Sequence, residues 1–352
     1  MNDATVSKKN LNLEIIASKA NVSRSTVSRV INNKPYVSPK TRARVLAIIE
    51  QEGFSPNAAA RMLATQRTET IGIVIENGAD VFDDNYFFSL MKGIARAANQ
   101  RHYALLLHMR DTRIDLQTFY DSVLRNRLMD GLVITTVTSD QSFIERLRDN
   151  DIRYVTVDRA YNKHDDALYA TIDNVAATKE LILHVIQNCG RRRIGIVSGP
   201  TSNVDGVDRL EGYRQALEEA GVPYDPELVY EGDFTRRSGY EGAKALLPQK
   251  PDCIFGANDF VALGVYDALT EAGVRIPDEV ALVGFDDLVT VVSQITPRLT
   301  TVHHPVLEKG EAATHLLLDA IEGHEEGPKR IILPTQLIVR ESCGYAIESR
   351  RE

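Results

Sequence analysis

Apolar positions divide the chain into two regimes. Over residues 13–53 they recur at helical spacing. Leu13, Ile16 and Ala17 fall at 0, +3 and +4, one face of a short helix. Val22, Val27, Val30 and Ile31 form the stripe of a second helix from about Arg24 to Ile31, and Ser23 stands where its N-cap belongs. The break Asn32-Asn33-Lys34-Pro35 ends it. Ser38-Pro39 opens a third helix, an N-cap serine followed by proline at the first helical position. Val45, Leu46 and Ile49 are its expected core face and Gly53 its end. Between the first two helices Asn21 stands at a tight turn, where a positive φ is needed and Asn tolerates it. From Thr70 the period changes. The runs TIGIVI, YALLLHM, DGLVIT, YVTVD, RIGIVSG, LVYEGDF, CIFGAN and VALVGFD alternate with helical stretches. Strands alternating with helices predict βαβ units and mostly parallel sheets, with enough units for two lobes.

The helical head reads as a helix-turn-helix. Its second helix turns Arg24, Ser25, Ser28 and Arg29 away from the apolar stripe and is narrow enough for a DNA major groove. Arginine pairs with guanine edges, and serine with several bases or with phosphate. Any small three-helix bundle would give the same apolar pattern. Charge separates the two regimes further. Residues 1–67 hold eleven Lys and Arg against four Asp and Glu, a balance of +7, so the remainder carries −15 in a chain of formal net charge −8. A basic head on an acidic body points to a polyanion as partner of the head alone. No apolar run approaches the roughly 18–20 residues of a membrane span, and the start, MNDATVSKKN, leads into no secretory signal. The three cysteines, Cys189, Cys253 and Cys343, are far apart and show neither CxxC nor zinc spacing, so no metal is expected. A reducing cytoplasm, close to the nucleoid, is the expected location.

The stretch from Leu13 to Ile75, with its VSxxTVSRVxN core and the PNxxARxL that follows, resembles the head of the lactose/galactose repressor family of bacterial transcription regulators. DRLEGYRQAL, GANDFVALGVYDAL, VALVGFDD, LTTVHHP and LPTQLIVRESCG match the family too, so the resemblance spans nearly the whole chain. Asn21 departs from the glycine usual there. The resemblance implies that Arg24 and Ser25 choose the operator sequence and that Arg29 reaches a base or phosphate. Ser23, Thr26, Ser28, Asn32 and Tyr36 would touch backbone or position the helix. The Ala-rich SPNAAARMLAT (55–65) is too short to persist as an isolated helix, since those are marginal below about 12–15 residues. The family implies a hinge helix that folds on DNA, with Asn57, Ala60 and Leu63 at the minor groove and Leu63 as wedge. A plain tether would fit the same residues.

The expected organisation is therefore a helix-turn-helix domain at 1–54, a hinge at 55–68 and a two-lobed ligand-binding and dimerisation body at 69–352. Lobe 1 is expected over about 69–170 and 298–328, and lobe 2 over about 171–297 and 329–346. The fold class is a small all-α head with an α/β body of the periplasmic-binding-protein type. In open α/β sheets ligands sit outside the carboxyl ends of strands. Standing there are Asp158, Asn203, Asp205, Phe234, Asn258, Asp259 and Asp286, with Arg209 in the next helix and Tyr86 and Phe87 past the first strand. Carboxylates, amides and an arginine around aromatic faces suit a polyhydroxylated ligand. By resemblance Asp158, Arg209, Asn258 and Asp286 stand where sugar-responsive members bind hydroxyls. Purine-responsive members carry Arg and Thr at the places of Asn203 and Asp205. Simpler roles compete: Asp259 as a helix cap, Asp286 and Arg209 as a structural ion pair, Tyr86 and Phe87 as core aromatics.

No P-loop, HExxH or GxSxG is present, and no enzyme is expected. The pair His303-His304 lacks ligand spacing and reads as hinge or surface histidines. The reading is a homodimeric repressor of pseudo-palindromic operator DNA, with no cofactor, controlled by a small-molecule effector, a carbohydrate, between the lobes. Rivals are a solute-binding protein of a transport system, an enzyme using the cleft, and a regulator answering to a non-sugar co-repressor.

Overall fold

A computed structural model of the chain describes residues 12–31, 35–54, 67–75, 85–111, 113–125, 128–161, 167–324, 327 and 329–345. It divides into two units, Met1–Thr68 and Glu69–Glu352. In the first, α1 (Leu13–Ala20), α2 (Arg24–Ile31) and α3 (Pro39–Glu52) enclose Ile16, Ala17, Ala20, Val27, Val30, Val45 and Phe54. Asn12 caps α1 by accepting from the N–H groups of Glu14 and Ile15. Asn21 ends it in the left-handed region at φ 48, donating back to Ala17 and Ser18. That turn is what lets α2 leave at an angle after three residues, and Asn is among the few side chains that accept it. Ser38 caps α3 through the Thr41 N–H with Pro39 behind it, and Gly53 closes it at φ 61. Leu46 does not line the core as expected: it is 48% exposed. Ile48 takes the place, because from Val45 the buried face runs to +3 and +4, and Leu46 lies about 100° away.

The second unit is built on two parallel sheets. β1 (Thr70–Ile75), β2 (Ala104–Met109), β3 (Gly131–Ile134), β4 (Tyr154–Val157) and β5 (Tyr169–Ile172) join β11 (Arg330–Leu333) in the order β11-β5-β4-β3-β1-β2. The helices α4 (Asn85–Gln100), α5 (Leu116–Arg125), α6 (Ser142–Asp149) and α12 (Val306–Glu322) belong to this lobe. α4 and α12 touch backbone to backbone. A Cβ on Gly93 would lie 2.0 Å from the Leu307 carbonyl, and one on Gly310 2.5 Å from that of Leu90, so only glycine fits at the crossing. The second sheet is β7-β6-β8-β9, made of β6 (Ile194–Ser198), β7 (Val229–Glu231), β8 (Cys253–Gly256) and β9 (Ala281–Val283). α7 (Asn174–Gln187) and α8 (Val204–Glu219) pack on one face. α9 (Arg236–Leu246) and α10 (Asp259–Glu271) pack on the other, with the short α11 (Val289–Val292) beside them. Strands buried on both sides explain the near-continuous apolar runs that replace strict alternation.

Three crossings join the lobes: after β5, and through the antiparallel pair β10 (Thr301–His303) and β12 (Gln336–Ile338). The third falls later than the expected boundary at 329. Arg330–Leu333 pairs in register with Tyr169–Ile172 of the first sheet, so the chain leaves lobe 1 only after Leu333. Among the described residues no helix is long and apolar enough to cross a membrane.

Candidate functional site

Two surfaces carry the residues singled out above. On the head, Ser23 initiates α2: its Oγ accepts from the Thr26 N–H at 3.2 Å and lies 2.8 Å from the hydroxyls of Ser25 and Thr26. Val27 and Val30 bury the opposite face, leaving Arg24, Ser25 and Arg29 exposed and Ser28 half-buried beside them. Arg24 lies 3.7 Å from Glu14, an exposed pair worth little. Tyr36 is 94% exposed on a left-handed backbone at φ 75. Asn32, Asn57, Ala60 and Leu63 lie outside the described residues, as does the expected hinge over 55–66.

In the body, the carboxyl ends of the two sheets face each other. Three of the aspartate and phenylalanine positions there have left-handed backbones, Asp158 at φ 91, Phe234 at φ 67 and Asp286 at φ 106. Strain of this kind costs on the order of 1–3 kcal/mol per residue and clusters where side chains must be aimed. Arg209, from α8, is buried and fully engaged. Its Nε donates to Asn174 Oδ1 at 2.9 Å, Nη1 to the Ala257 carbonyl at 2.6 Å and Nη2 to Asp286 Oδ1 at 3.3 Å. The guanidinium lies over Phe285 at 3.9 Å and nearer the edge of the site over Phe234 at 5.7 Å. Asn174 in turn donates to Asp205 Oδ1 at 3.0 Å. The ion pair that competed with a binding role for Arg209 and Asp286 is thus present, inside a larger network.

Lys309, to which the sequence assigned no role, and His304, expected at a hinge or on the surface, complete it. Lys309, from α12, is fully buried and donates to Asp158 Oδ1 and to Tyr86 Oη, both at 2.7 Å. His304 is buried as well, not a surface histidine: its Nδ1 is 3.2 Å from Asp286 Oδ1 and its ring meets Tyr86 edge-on at 5.5 Å. Its Nε2 is buried with no hydrogen-bonding partner among the described residues. A signal for Lys309 existed, since it stands three residues after Val306 on the stripe that continues through Ala313 and Leu317. His303 does face solvent, 3.4 Å from Asp287.

Burial sets the protonation of the group. It pushes the Asp158 carboxyl up to about 6, helped by Asp205 and opposed by Lys309 and Arg209. Burial alone would neutralise Lys309, but Asp158, Tyr86 and Asp205 outweigh it and hold the ammonium above its ordinary pKa. At neutral pH the pair is therefore ionised. Burial, then the Lys309 and Arg209 charges, drive His304 well below its usual value. A neutral imidazole beside a carboxylate donates from Nδ1, which leaves Nε2 as an acceptor.

The remaining candidates divide. Phe87 sits in the first lobe's core with Ile71, Ile73 and Leu90, on the inward helical face, and leaves the candidate site. Asn203 caps α8, accepting from the N–H groups of Asp205 and Gly206. Asn258, not Asp259, caps α10 through the Val261 N–H, while its amide donates to the Phe234 carbonyl at 3.2 Å. Each amide group keeps one further lone pair or proton. Asp259 is buried and tied to Thr301 Oγ1 and the Leu288 N–H at 2.7 Å each, a brace between helix and crossing strands. The lobes also meet at the cleft's rim. Ser139 N–H donates to the Ser202 carbonyl at 2.8 Å, and Arg159 forks onto Asp208 with Nε at 2.8 Å.

Comparison with known proteins covers both the head and the body. Residues 12–57 match the family model of bacterial regulatory proteins, lacI family, and residues 184–343 that of the periplasmic binding protein-like domain. The chain is 36% identical to the HTH-type transcriptional regulator CelR of Thermobifida fusca over 334 residues, 94% of this chain and 97% of the relative. It is 32% identical to the HTH-type transcriptional repressor PurR of Escherichia coli over 330 residues, 93% and 95% of the two chains. Among solved structures it resembles a CelR–cellobiose complex at TM-score 0.73 and 33% identity, covering 95% of this chain and all of that one. It resembles the Lac repressor dimer bound to operator and the anti-inducer ONPF at TM-score 0.80 and 26% identity, covering 95% and 99%. With a helix-turn-helix head, a two-lobed α/β body and relatives matched over nearly their full length, the chain belongs to the lacI family of bacterial regulatory proteins.

Proposed function

We propose that this chain is a homodimeric, cytoplasmic repressor whose affinity for a pseudo-palindromic operator is set by a carbohydrate enclosed between its lobes. The observation that carries the reading is the buried polar network at the carboxyl ends of both sheets, and above all the unpartnered Nε2 of His304 within it. Buried polar atoms in native proteins are nearly always satisfied, and one that is not, inside a polar network between two lobes, is a place where a water or a ligand atom fits. A sugar hydroxyl donating to Nε2 and accepting from Asn258 or Lys309 would supply it. Asp158, Asp205 and Asp286 would accept from further hydroxyls, Arg209 would donate, and Phe234 with Tyr86 would cover a pyranose face. Asn203 and Asp205 stand where purine-responsive members carry Arg and Thr, which does not favour a purine. A CelR relative was solved with cellobiose, which makes a β-linked glucose disaccharide the first compound to try.

On the head, Arg24, Ser25 and Arg29 would read bases, with Ser23, Thr26, Ser28, Asn32 and Tyr36 on the backbone. Asn57, Ala60 and Leu63 of a hinge over 55–68 would enter the minor groove. Effector binding would then change lobe closure, and the crossing strands would pass that change to the hinge. The test is calorimetric titration of the purified chain with cellobiose, other disaccharides, glucose and a purine base. The reading expects saturable binding of a sugar and none of the purine. Purine binding with no sugar binding would overturn the carbohydrate assignment while leaving the regulator intact.

A further inference from the structure

The second lobe gathers three soft donors at the pole opposite the cleft. α7 begins at Asn174, whose side chain holds Arg209, and ends 14 residues on, roughly 20 Å away. In its last turn stands His184, and just past its end stands Cys189, before a left-handed Gly190 at φ 72. Cys343 arrives from the other end of the chain, 159 residues from His184 in sequence, in the short turn Glu341–Cys343. His184 Nε2 lies 3.6 Å from Cys189 Sγ and 3.7 Å from Cys343 Sγ, and the three atoms all lie within 4.8 Å of one another. The ring of Tyr345 meets His184 edge-on at 5.3 Å and fixes its plane. Ser342, beside Cys343, anchors the turn by donating to the Leu282 carbonyl at 2.6 Å and accepting from the Thr300 N–H at 2.8 Å.

We infer that His184, Cys189 and Cys343 form a binding site for a thiophilic divalent metal ion, zinc in the first instance. Zinc–sulfur bonds of about 2.3 Å and zinc–nitrogen bonds of about 2.0–2.1 Å at tetrahedral angles require an S···N edge of about 3.5 Å. The two observed S···N separations are within a few tenths of an ångström of that edge, and the two sulfurs lie within 4.8 Å of each other, close enough to converge on one ion. Two thiolates and an imidazole select zinc-like ions over magnesium or calcium, which take oxygen. Among the described residues no fourth His, Cys, Asp or Glu joins the group, so water or another ligand would fill the last position. Each thiol gives up its proton to solvent as the ion binds, so affinity rises with pH. Cys253, buried at the start of β8, is outside the group. An ion there ties the chain's last crossing to α7, the helix whose other end touches Arg209.

The test is titration of the full-length reduced protein, freed of metal with a chelator, with cobalt(II) and then zinc. The expected result is one cobalt per protomer, with thiolate-to-cobalt charge-transfer absorption and the intense d–d bands of a tetrahedral site, displaced by zinc. Cys343→Ser and His184→Ala should weaken binding by more than the roughly 10–100-fold that outer-shell changes cost, and Cys253→Ala should leave it unchanged. Should the variants misfold, thiol labelling of the unaltered protein decides: zinc should slow the labelling of Cys189, the one of the three thiols that is not fully buried, and an unchanged labelling rate would overturn the inference. A weak octahedral cobalt spectrum would overturn the inference. So would cobalt retained by a Cys189→Ser/Cys343→Ser double variant, or two thiols lost without metal and a mass lower by two hydrogens, which would mean a disulfide.

Discussion

The recognition helix and the cleft solve binding in opposite ways. The helix offers Arg24, Ser25 and Arg29 as sequence neighbours, exposed to solvent, on one stable turn whose other face is core. The cleft draws Tyr86, Asp158, Arg209, Asp286, His304 and Lys309 from across the body, and each of the last four is ion-paired or hydrogen-bonded to another charge inside the protein. A surface that reads a polyanion can leave its charges in water until DNA arrives. A site that encloses a small ligand must desolvate its charges beforehand, and it holds them by pairing them. Damage on the helix should therefore cost recognition alone, whereas damage in the cleft should cost stability and recognition together.

The largest expected effect lies in the cleft. Lys309→Met leaves the Asp158 carboxylate buried without its ammonium, and should destabilise the body by roughly 3–5 kcal/mol, read as a lowered urea midpoint. Adding Asp158→Asn should recover most of that loss, because a neutral pair needs no compensation. Arg24→Ala should stay within about 0.5 kcal/mol of the parent in the same assay, as a solvated surface change. Equal losses from Lys309→Met and Arg24→Ala would erase the contrast between the two regions.

Arg24→Ala should instead show itself in site selection. It should lose about 1–3 kcal/mol of discrimination at one base pair per half-site, with other positions unchanged. An unaltered base preference would remove Arg24 from direct readout. The smallest effect is that of pH on the cleft. With its pKa raised from 3.8 to about 6, Asp158 binds a proton in the folded state that the unfolded chain has released, so its contribution to stability falls as pH rises from about 4 to 6. His304 acts in reverse: its folded pKa is depressed, so the stability it contributes is present above about 6.5 and is lost as pH falls below that. Carbohydrate binding should weaken several-fold from pH 7 to 5 as Asp158 loses its charge, while base preference on DNA should not move. A pH-independent sugar affinity would exclude Asp158 from the contact.

The same contrast explains what was readable beforehand. Caps, breaks and apolar stripes are local, so Asn21, Ser38-Pro39 and Gly53 announced the head, and strand runs such as TIGIVI and CIFGAN announced the sheets. Strand ends gave Asp158, Phe234 and Asp286, because a ligand site at those ends follows from the parallel topology. The partners of Lys309 and His304 were not legible, since what brings the two into the candidate site is burial against residues more than a hundred positions away or across a crossing. Phe87 misled for the same reason: a helical face decides its surroundings, and that is not visible from the residue type. The three cysteines show it most plainly, far apart in sequence, with two of them meeting at one histidine.

The central claim is that a carbohydrate held by Asp286 and its partners controls the grip on DNA. Operator affinity measured by fluorescence anisotropy, with and without the sugar that binds the parent, tests it in the parent and in Asp286→Asn. Coupling of about 1–3 kcal/mol predicts that the sugar shifts the parent's operator affinity roughly 5- to 150-fold. Asp286→Asn should bind operator like the sugar-free parent and need ten- to several-hundred-fold more sugar for the same shift, the equivalent of about 1–3 kcal/mol of lost contact. A variant that answers to the parent's sugar concentration would show that Asp286 only braces Arg209 and His304, and that the effector binds elsewhere.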